Sequence, residues 1–262
     1  MELRPDLPSL IVGFDTETTG LDTKEDEVIS YGFAVFRHGR LASEESGQIF
    51  ATTDRSIHPK AQEVHGLSIE GLRTRQSELG GPFSASEGLQ YALRQLEKLR
   101  DQNAVFVGAF PKFDFDMIES MSRRHLGIQP SWSREIYEDF RFPEYFIDRE
   151  PHAALSSTLR RSEPLLMSSA ASGVPATSRE LRRRLATDML MSSKKRWPRI
   201  IDVCAFDRLH WPDISRRRGL GALCDFYGVE PGRHDALQDA RAAVEVWMCQ
   251  MQRRFREYSS SQ

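Results

Sequence analysis

Apolar residues recur along the chain in two rhythms, one typical of strands and one of helices. Residues 9–15, SLIVGFD, form a short continuous apolar run that ends in a carboxylate and predicts a buried strand. Residues 28–36, VISYGFAVF, are rich in β-branched and aromatic side chains. With the turn glycine Gly39 and a further strand around 41–50, they predict a meander. The segment HPKAQEVHGLS that follows is read as a loop. Ser84 and Glu87 make a capping-box pattern ahead of a helix over 85–101, in which Leu89, Leu93 and Leu96 recur at helical spacing. Residues 104–110, AVFVGAF, predict another buried strand, and a helix is expected over 113–125. RIIDVCAF at 199–206 reads as one more strand, and GLGALCDFYG as a short helix ended by Gly228. The last element is the clearest. From Ala236 to about Arg256, residues Ala236, Ala240, Ala243, Trp247, Met251 and Phe255 fall on one helical face.

Three strands, helix, strand, helix, strand and two helices imply an α/β layer architecture, a mixed sheet covered by helices. Residues 150–197 break the pattern. They are rich in Ser and Arg and poor in aromatics, with one helix expected near 178–191. We read a single domain over 1–262 with an inserted, partly flexible segment at about 131–198.

Bulk composition narrows the class. Of 262 residues, 39% are hydrophobic and 28% charged, as in ordinary soluble domains. No run of about 18 apolar residues exists, so no membrane-spanning helix is expected. MELRPDLPSLIVGFD lacks the basic-then-apolar order of a secretory leader. Cys204, Cys224 and Cys249 are widely spaced and form no CxxC pair, which fits unpaired thiols in a reducing setting. The expected location is the cytoplasm, or the nucleus in a eukaryote, without secretion. The formal net charge is −2, yet basic clusters such as Arg182-Arg183-Arg184 and Arg216-Arg217-Arg218 leave room for phosphate contacts.

Three short motifs carry the chemistry. In Asp15-Thr16-Glu17-Thr18-Thr19-Gly20, positions two apart on a strand face the same way, so Asp15 and Glu17 put two carboxylates on one face at a strand end. Hard oxygen ligands at close quarters suit Mg²⁺ or Mn²⁺, and a cation offsets their repulsion. The second motif is Asp114, just past a buried strand at the start of a helix, with Asp116 as a nearby competitor. The third is His234-Asp235-Ala236-Leu237-Gln238-Asp239, which sets Asp239 one turn inside a helix that begins at about Asp235. An imidazole, His234, stands in the loop before it. Histidine titrates near neutrality and suits proton transfer from water.

Taken together, these motifs resemble those of the DEDDh 3′–5′ exonucleases, proofreading-type nucleases with a ribonuclease-H-like fold. FDTETTGL is similar to their first motif. VHGLS at 64–68 is similar to a segment lining their cleft, FVGAFPKFDFDMI to their second motif, and GLGALCDFYGVEPGRHDALQDARAA to their third. IIDV at 200–203 is similar to the intervening strand. A sister branch uses Tyr-x3-Asp, but position 235 is Asp. The resemblance implies a mixed five-stranded sheet flanked by helices, with the insertion before the last strand. It implies two Mg²⁺ ions (Mn²⁺ substituting) held by Asp15, Glu17, Asp114 and Asp239, with Asp15 bridging. Such ions stand about 3.5–4 Å apart. It further implies His234 as general base, nucleoside 5′-monophosphates as products, and substrate contacts from Thr18, Leu21 and His65.

One departure bears on substrate. The second motif of the family carries His-Asn where this chain has Ala109 and Phe110. Phe110 could stack on a base of a single strand, or fill the core. The expected partner is therefore the 3′ end of single-stranded nucleic acid, DNA in the first instance. The insertion offers a place for a polymerase or another protein partner, and no membrane is involved. An exoribonuclease and a catalytically silent nucleic-acid-binding module are the competing readings.

Overall fold

The computed structural model describes residues 7–48, 55–78, 85–130, 197–211 and 219–259. Ser84 of the capping pattern, the helix expected near 178–191 and the insertion up to residue 196 lie outside the described residues.

The centre is a five-stranded sheet in the order β3-β2-β1-β4-β5. β1 (Leu10–Thr18), β2 (Val28–Arg37) and β3 (Arg40–Gln48) form the antiparallel meander, while β4 (Val105–Gly108) and β5 (Ile200–Asp202) run parallel to β1. The β2–β3 connection is a two-residue turn with both central residues, His38 and Gly39, at positive φ (51° and 72°). That backbone twist matches the twist of the paired strands. This is the mixed sheet flanked by helices that the sequence predicts.

Both faces are covered, which is why β1 reads as an unbroken apolar run. Leu10, Val12 and Phe14 pack against α3 (Ala85–Asp101) and α4 (Pro111–Met121), where Leu89, Leu93, Leu96, Phe115 and Ile118 are buried. Phe14 sits between Phe33 and Phe115, with ring centroids 5.0 and 5.2 Å away. Ile11 faces the opposite layer with Val105, Val107 and Ile201. That layer is built from α5 (Val203–His210), α6 (Leu220–Tyr227) and α7 (Ala236–Ser259). Ala236, Ala240, Ala243, Trp247 and Met251 are all buried there. Cys204 and Cys224 are buried free thiols, and Cys249 is a half-buried one. No helix among the described residues is long and apolar enough to cross a membrane.

Two small residues set how α7 sits. A Cβ on Gly13 of β1 would lie 2.0 Å from the Ala240 carbonyl oxygen, and one on Gly32 of β2 would lie 2.3 Å from Leu237 Cα. The helix backbone therefore rests directly on the sheet backbone, a closer approach than any side chain allows.

Several predicted boundaries need correction. The segment after β3 is not merely a loop: it contains α1 (Pro59–His65) and α2 (Ile69–Glu78). His58 caps α1, its Nδ1 accepting the Lys60 N–H at 3.2 Å. Pro59 opens the helix, and Gly66 closes it at φ 68°. The strand expected over 199–206 lasts three residues, because the Asp202 carboxylate accepts the N–H groups of Cys204 and Ala205 and starts α5 there. The helix expected over 113–125 begins at Pro111 and ends in a π-helical turn, Ser122–Leu126.

Candidate metal centre

Strand alternation and unequal strand lengths create the site. Odd residues of β1 face α7, so Asp15 and Glu17 follow Ile11 and Gly13 to that side. β1 outruns its neighbour: the last registered pair with β4 is Gly13 with Val107, and β4 ends at Gly108. Beyond that point β1 has no strand beside it on the β4 side, and the Thr16 N–H needs another acceptor. Asp114 supplies it. Its Oδ1 accepts the Thr16 N–H at 3.0 Å and the Thr16 hydroxyl at 2.6 Å. Asp114 is thus fastened to the residue between Asp15 and Glu17.

The close seat of α7 brings in the next acid. Asp239, in its first turn, meets Asp15 and Glu17 so that one oxygen from each carboxylate lies within 4.8 Å of the others. The preceding loop lies against Asp239, and the backbone N–H groups of His234 and Gly232 favour its charged carboxylate. A Cβ on Gly232 would stand 2.3 Å from Asp239 Oδ1, so only glycine lets the loop close over it. Arg233 and His234 both take positive φ (55° and 61°), and the His234 side chain is exposed. Asp235 accepts the Gln238 N–H at 3.0 Å and caps the helix, which begins at Ala236.

Electrostatics describe a centre that lacks a positive charge. Burial, then Asp114, Glu17 and Asp239, push the Asp15 carboxyl well above the usual range. Burial, then Asp239 and Asp114, push Glu17 up to about 8. Burial raises Asp114 to about 7, although both Thr16 hydrogen bonds oppose the shift. Burial also raises Asp239, with His234 acting against it. An octahedral magnesium ion spans oxygens up to about 4.2 Å apart. Three carboxylate oxygens grouped within 4.8 Å fit such an ion, and its charge would relieve the repulsion that raises these groups.

The sign of the pH dependence follows. Glu17 and Asp114 bind protons more tightly folded than unfolded. On account of these two groups the metal-free protein therefore loses stability as pH rises from 3.8 to about 8. In chelator the melting temperature should fall across this window, and saturating Mn²⁺ should raise it most at the alkaline end. At 100 times its dissociation constant the ion contributes about 2.7 kcal/mol, or roughly 5–11 °C. A melting temperature that is level from pH 5 to 8 in chelator would contradict this charge arrangement.

The other expected residues surround the centre in different ways. Thr18 is buried and donates its hydroxyl to the Gly20 carbonyl at 2.7 Å. His65 Nδ1 accepts the Leu67 N–H at 3.0 Å, which fixes the tautomer with hydrogen on Nε2; that nitrogen lies 3.2 Å from the Thr18 carbonyl oxygen. His65 therefore ties the end of α1 to the end of β1, and burial first of all lowers its pKa. Leu21 is 84% exposed beyond Gly20. Phe110 is 48% exposed, so it does not fill the core. Asp116, two residues further along α4, pairs with Lys112.

One acid escaped the sequence reading. Asp202, at the end of β5, is 5% exposed, accepts the N–H groups of Cys204 and Ala205 and faces that of Phe110. Its negative charge also acts on Asp114. The signal available was an Asp closing an apolar strand, two residues ahead of the N–H it caps.

Residues 12–142 match the RNase_T exonuclease family. The chain belongs to this family of DEDD-type 3′–5′ exonucleases, which depend on divalent metal. Among solved structures, it is similar to Escherichia coli Exonuclease I in complex with a dT13 oligonucleotide. That match has 13% identity and a TM-score of 0.53, covering 97% of this chain and 43% of that one. The zinc-ion-bound form of the E. coli ExoI–ssDNA complex gives 14% identity and 0.54, with the same coverage. Exonuclease I from Methylocaldum szegediense gives 14% identity and 0.50, covering 92% of this chain and 40% of that one. The chain thus spans less than half the length of these proteins, and the likeness is one of fold. No curated protein matches the sequence.

Proposed function

We propose that the chain is a two-metal 3′–5′ exonuclease of the proofreading or repair kind. It removes nucleotides from the 3′ end of single-stranded DNA and releases nucleoside 5′-monophosphates. The observation that carries this reading is the grouping of Asp15, Glu17 and Asp239 within 4.8 Å, with Asp114 fastened to Thr16 alongside. The choice of single-stranded DNA is supported by the oligonucleotides in the E. coli Exonuclease I complexes.

Asp15, Glu17 and Asp239 would hold one Mg²⁺, and Asp15 with Asp114 a second. Such ions polarise the phosphoryl oxygen and lower the pKa of water. The residues of the chain do the rest. His234, exposed on its loop, accepts the proton of the attacking water. Its backbone N–H faces the Asp239 carboxylate, so the loop that carries the base lies against that acid. His65 and Thr18 hold the end of β1 against α1 and so shape the floor on which the terminal nucleotide rests, while Leu21 projects beside it.

A 5′-labelled single strand should shorten stepwise in Mg²⁺ and stay intact in chelator, with matched RNA and duplex DNA cut more slowly. His234→Ala should lower kcat about 100- to 10,000-fold while leaving the Mn²⁺-induced rise in melting temperature unchanged. Full activity of that variant would remove His234 from the mechanism; no cleavage of any strand by the unaltered protein would defeat the exonuclease reading.

A further inference from the structure

Phe110 occupies a costly backbone conformation. It sits at φ 59°, ψ 42°, the left-handed region, which a residue with a Cβ enters at roughly 1–2 kcal/mol. Pro111 after it disfavours the right-handed helical region but leaves extended conformations open. Helix capping does not account for the choice, because the Phe110 side chain makes no capping hydrogen bond. At the end of the neighbouring strand the Asp202 carboxylate faces the Phe110 N–H and is favoured by it. The result is an aromatic ring held out at the surface, 48% exposed, one turn before Asp114. The Arg208 guanidinium lies 5.9 Å from its centroid and also acts on the Asp202 carboxylate.

We propose that Phe110 and Arg208 form a stacking shelf for one unpaired base beside the acidic centre, with Asp202 as the residue that holds the shelf in position. The proposal rests on the exonuclease reading above and adds to it the group that recognises a single strand. An aromatic face accepts any base, since every base has a π-face, but only when that base is unstacked and unpaired. A guanidinium over one side of the ring adds a cation for the adjoining phosphate or extends the stacking surface, and leaves the other face for the base. Shelf and acids share one end of the sheet: Asp15 and Glu17 at the end of β1, Phe110 and Asp114 just after β4, Asp202 at the end of β5. Such a shelf suits substrates without sequence preference.

The test compares Phe110→Asn, Phe110→Trp and the unaltered protein. Asparagine tolerates the left-handed region, so Phe110→Asn should fold with a melting temperature equal to or above that of the original. Its KM for single-stranded DNA should rise about 5- to 150-fold with kcat little changed, and Phe110→Trp should restore it. An abasic residue is then moved along the 3′ end of the substrate. At one position it should weaken binding to the unaltered protein, and there Phe110→Asn should add no further loss. Equal KM values for Phe110→Asn and the unaltered protein, or an abasic effect that is the same in both at every position, overturn the shelf. A shift of Phe110→Asn from dimer to monomer in sedimentation, with KM unchanged, would assign the ring to a second copy of the chain and also overturn it. Titration of a 3′-terminal 2-aminopurine strand in chelator reads stacking without turnover. Quenching there with no cleavage in Mg²⁺ would preserve the shelf while defeating the exonuclease reading.

Discussion

Asp15→Asn is expected to reduce turnover at least about 1000-fold, the order set by losing several kcal/mol of metal-borne stabilisation, and to raise the melting temperature of the protein in chelator. The two effects have one cause. Asp15 is surrounded by negative charge from Asp114, Glu17, Asp239 and Asp235, on top of the cost of burial. Removing its charge relieves a repulsion that only a cation would otherwise balance, so the metal-free variant should be more stable by about 1 kcal/mol or more, at roughly 2–4 °C per kcal/mol. In Mn²⁺ the order should reverse, because the variant lacks one carboxylate of the proposed metal centre. Calorimetry with and without the ion, beside a digestion assay, separates the cases. Sustained cleavage by Asp15→Asn would show that these carboxylates are not the reaction centre. Loss of cleavage with a lower melting temperature in chelator would show that the acids are not in mutual repulsion.

The second large effect is expected far from any titratable group. Gly13→Ala should destabilise by about 1–3 kcal/mol or more, the usual cost of overpacking. The added Cβ would stand 2.0 Å from a backbone oxygen, Ala240 O, and 2.6 Å from its carbon. A flexible side chain could turn away; the backbone of α7 cannot without parting Ala240, Ala243 and Val244 from the layer they share with Ile11. Asp239 adjoins Ala240, so the displaced helix carries with it one acid of the metal centre proposed above. A shift of about 1 Å suffices to lower activity about 100-fold. Gly221→Ala, in α6 with no atom within 4 Å of the new Cβ, is the matched control and should be neutral or slightly stabilising. Equal stability and activity of Gly13→Ala and the control would refute the seat described for α7.

Much of the fold and of the acidic cluster is legible in the sequence. The apolar run ending at Asp15 located β1, and its period placed Asp15 and Glu17 on one face. The alanine stripe from Ala236 located α7. What was missed has physical causes. VCAF at 203–206 reads as a continuing strand because nothing in it breaks the apolar run; α5 starts there because Asp202 caps it. α1 was legible in principle, from Pro59 at its start and Gly66 at its end, but seven residues without a buried face give no hydrophobic period. In the sequence Gly13 and Gly32 are only glycines inside two apolar strands. Their meaning depends on a helix more than 200 residues later in the sequence. The Asp114–Thr16 bond and the role of Asp202 arise from the staggered ends of β1, β4 and β5, which no single segment encodes.

The stagger of those strand ends also governs when the centre comes into being. Its acids arrive on three separate stretches: Asp15 and Glu17 early, Asp114 about a hundred residues on, Asp239 in the helix that closes the described chain. During synthesis the first two stretches can meet as soon as β4 docks on β1. The third waits for β5 and then α7. A growing chain therefore holds only part of this acidic cluster until α7 settles on the sheet, and on the exonuclease reading proposed above cutting waits for that step.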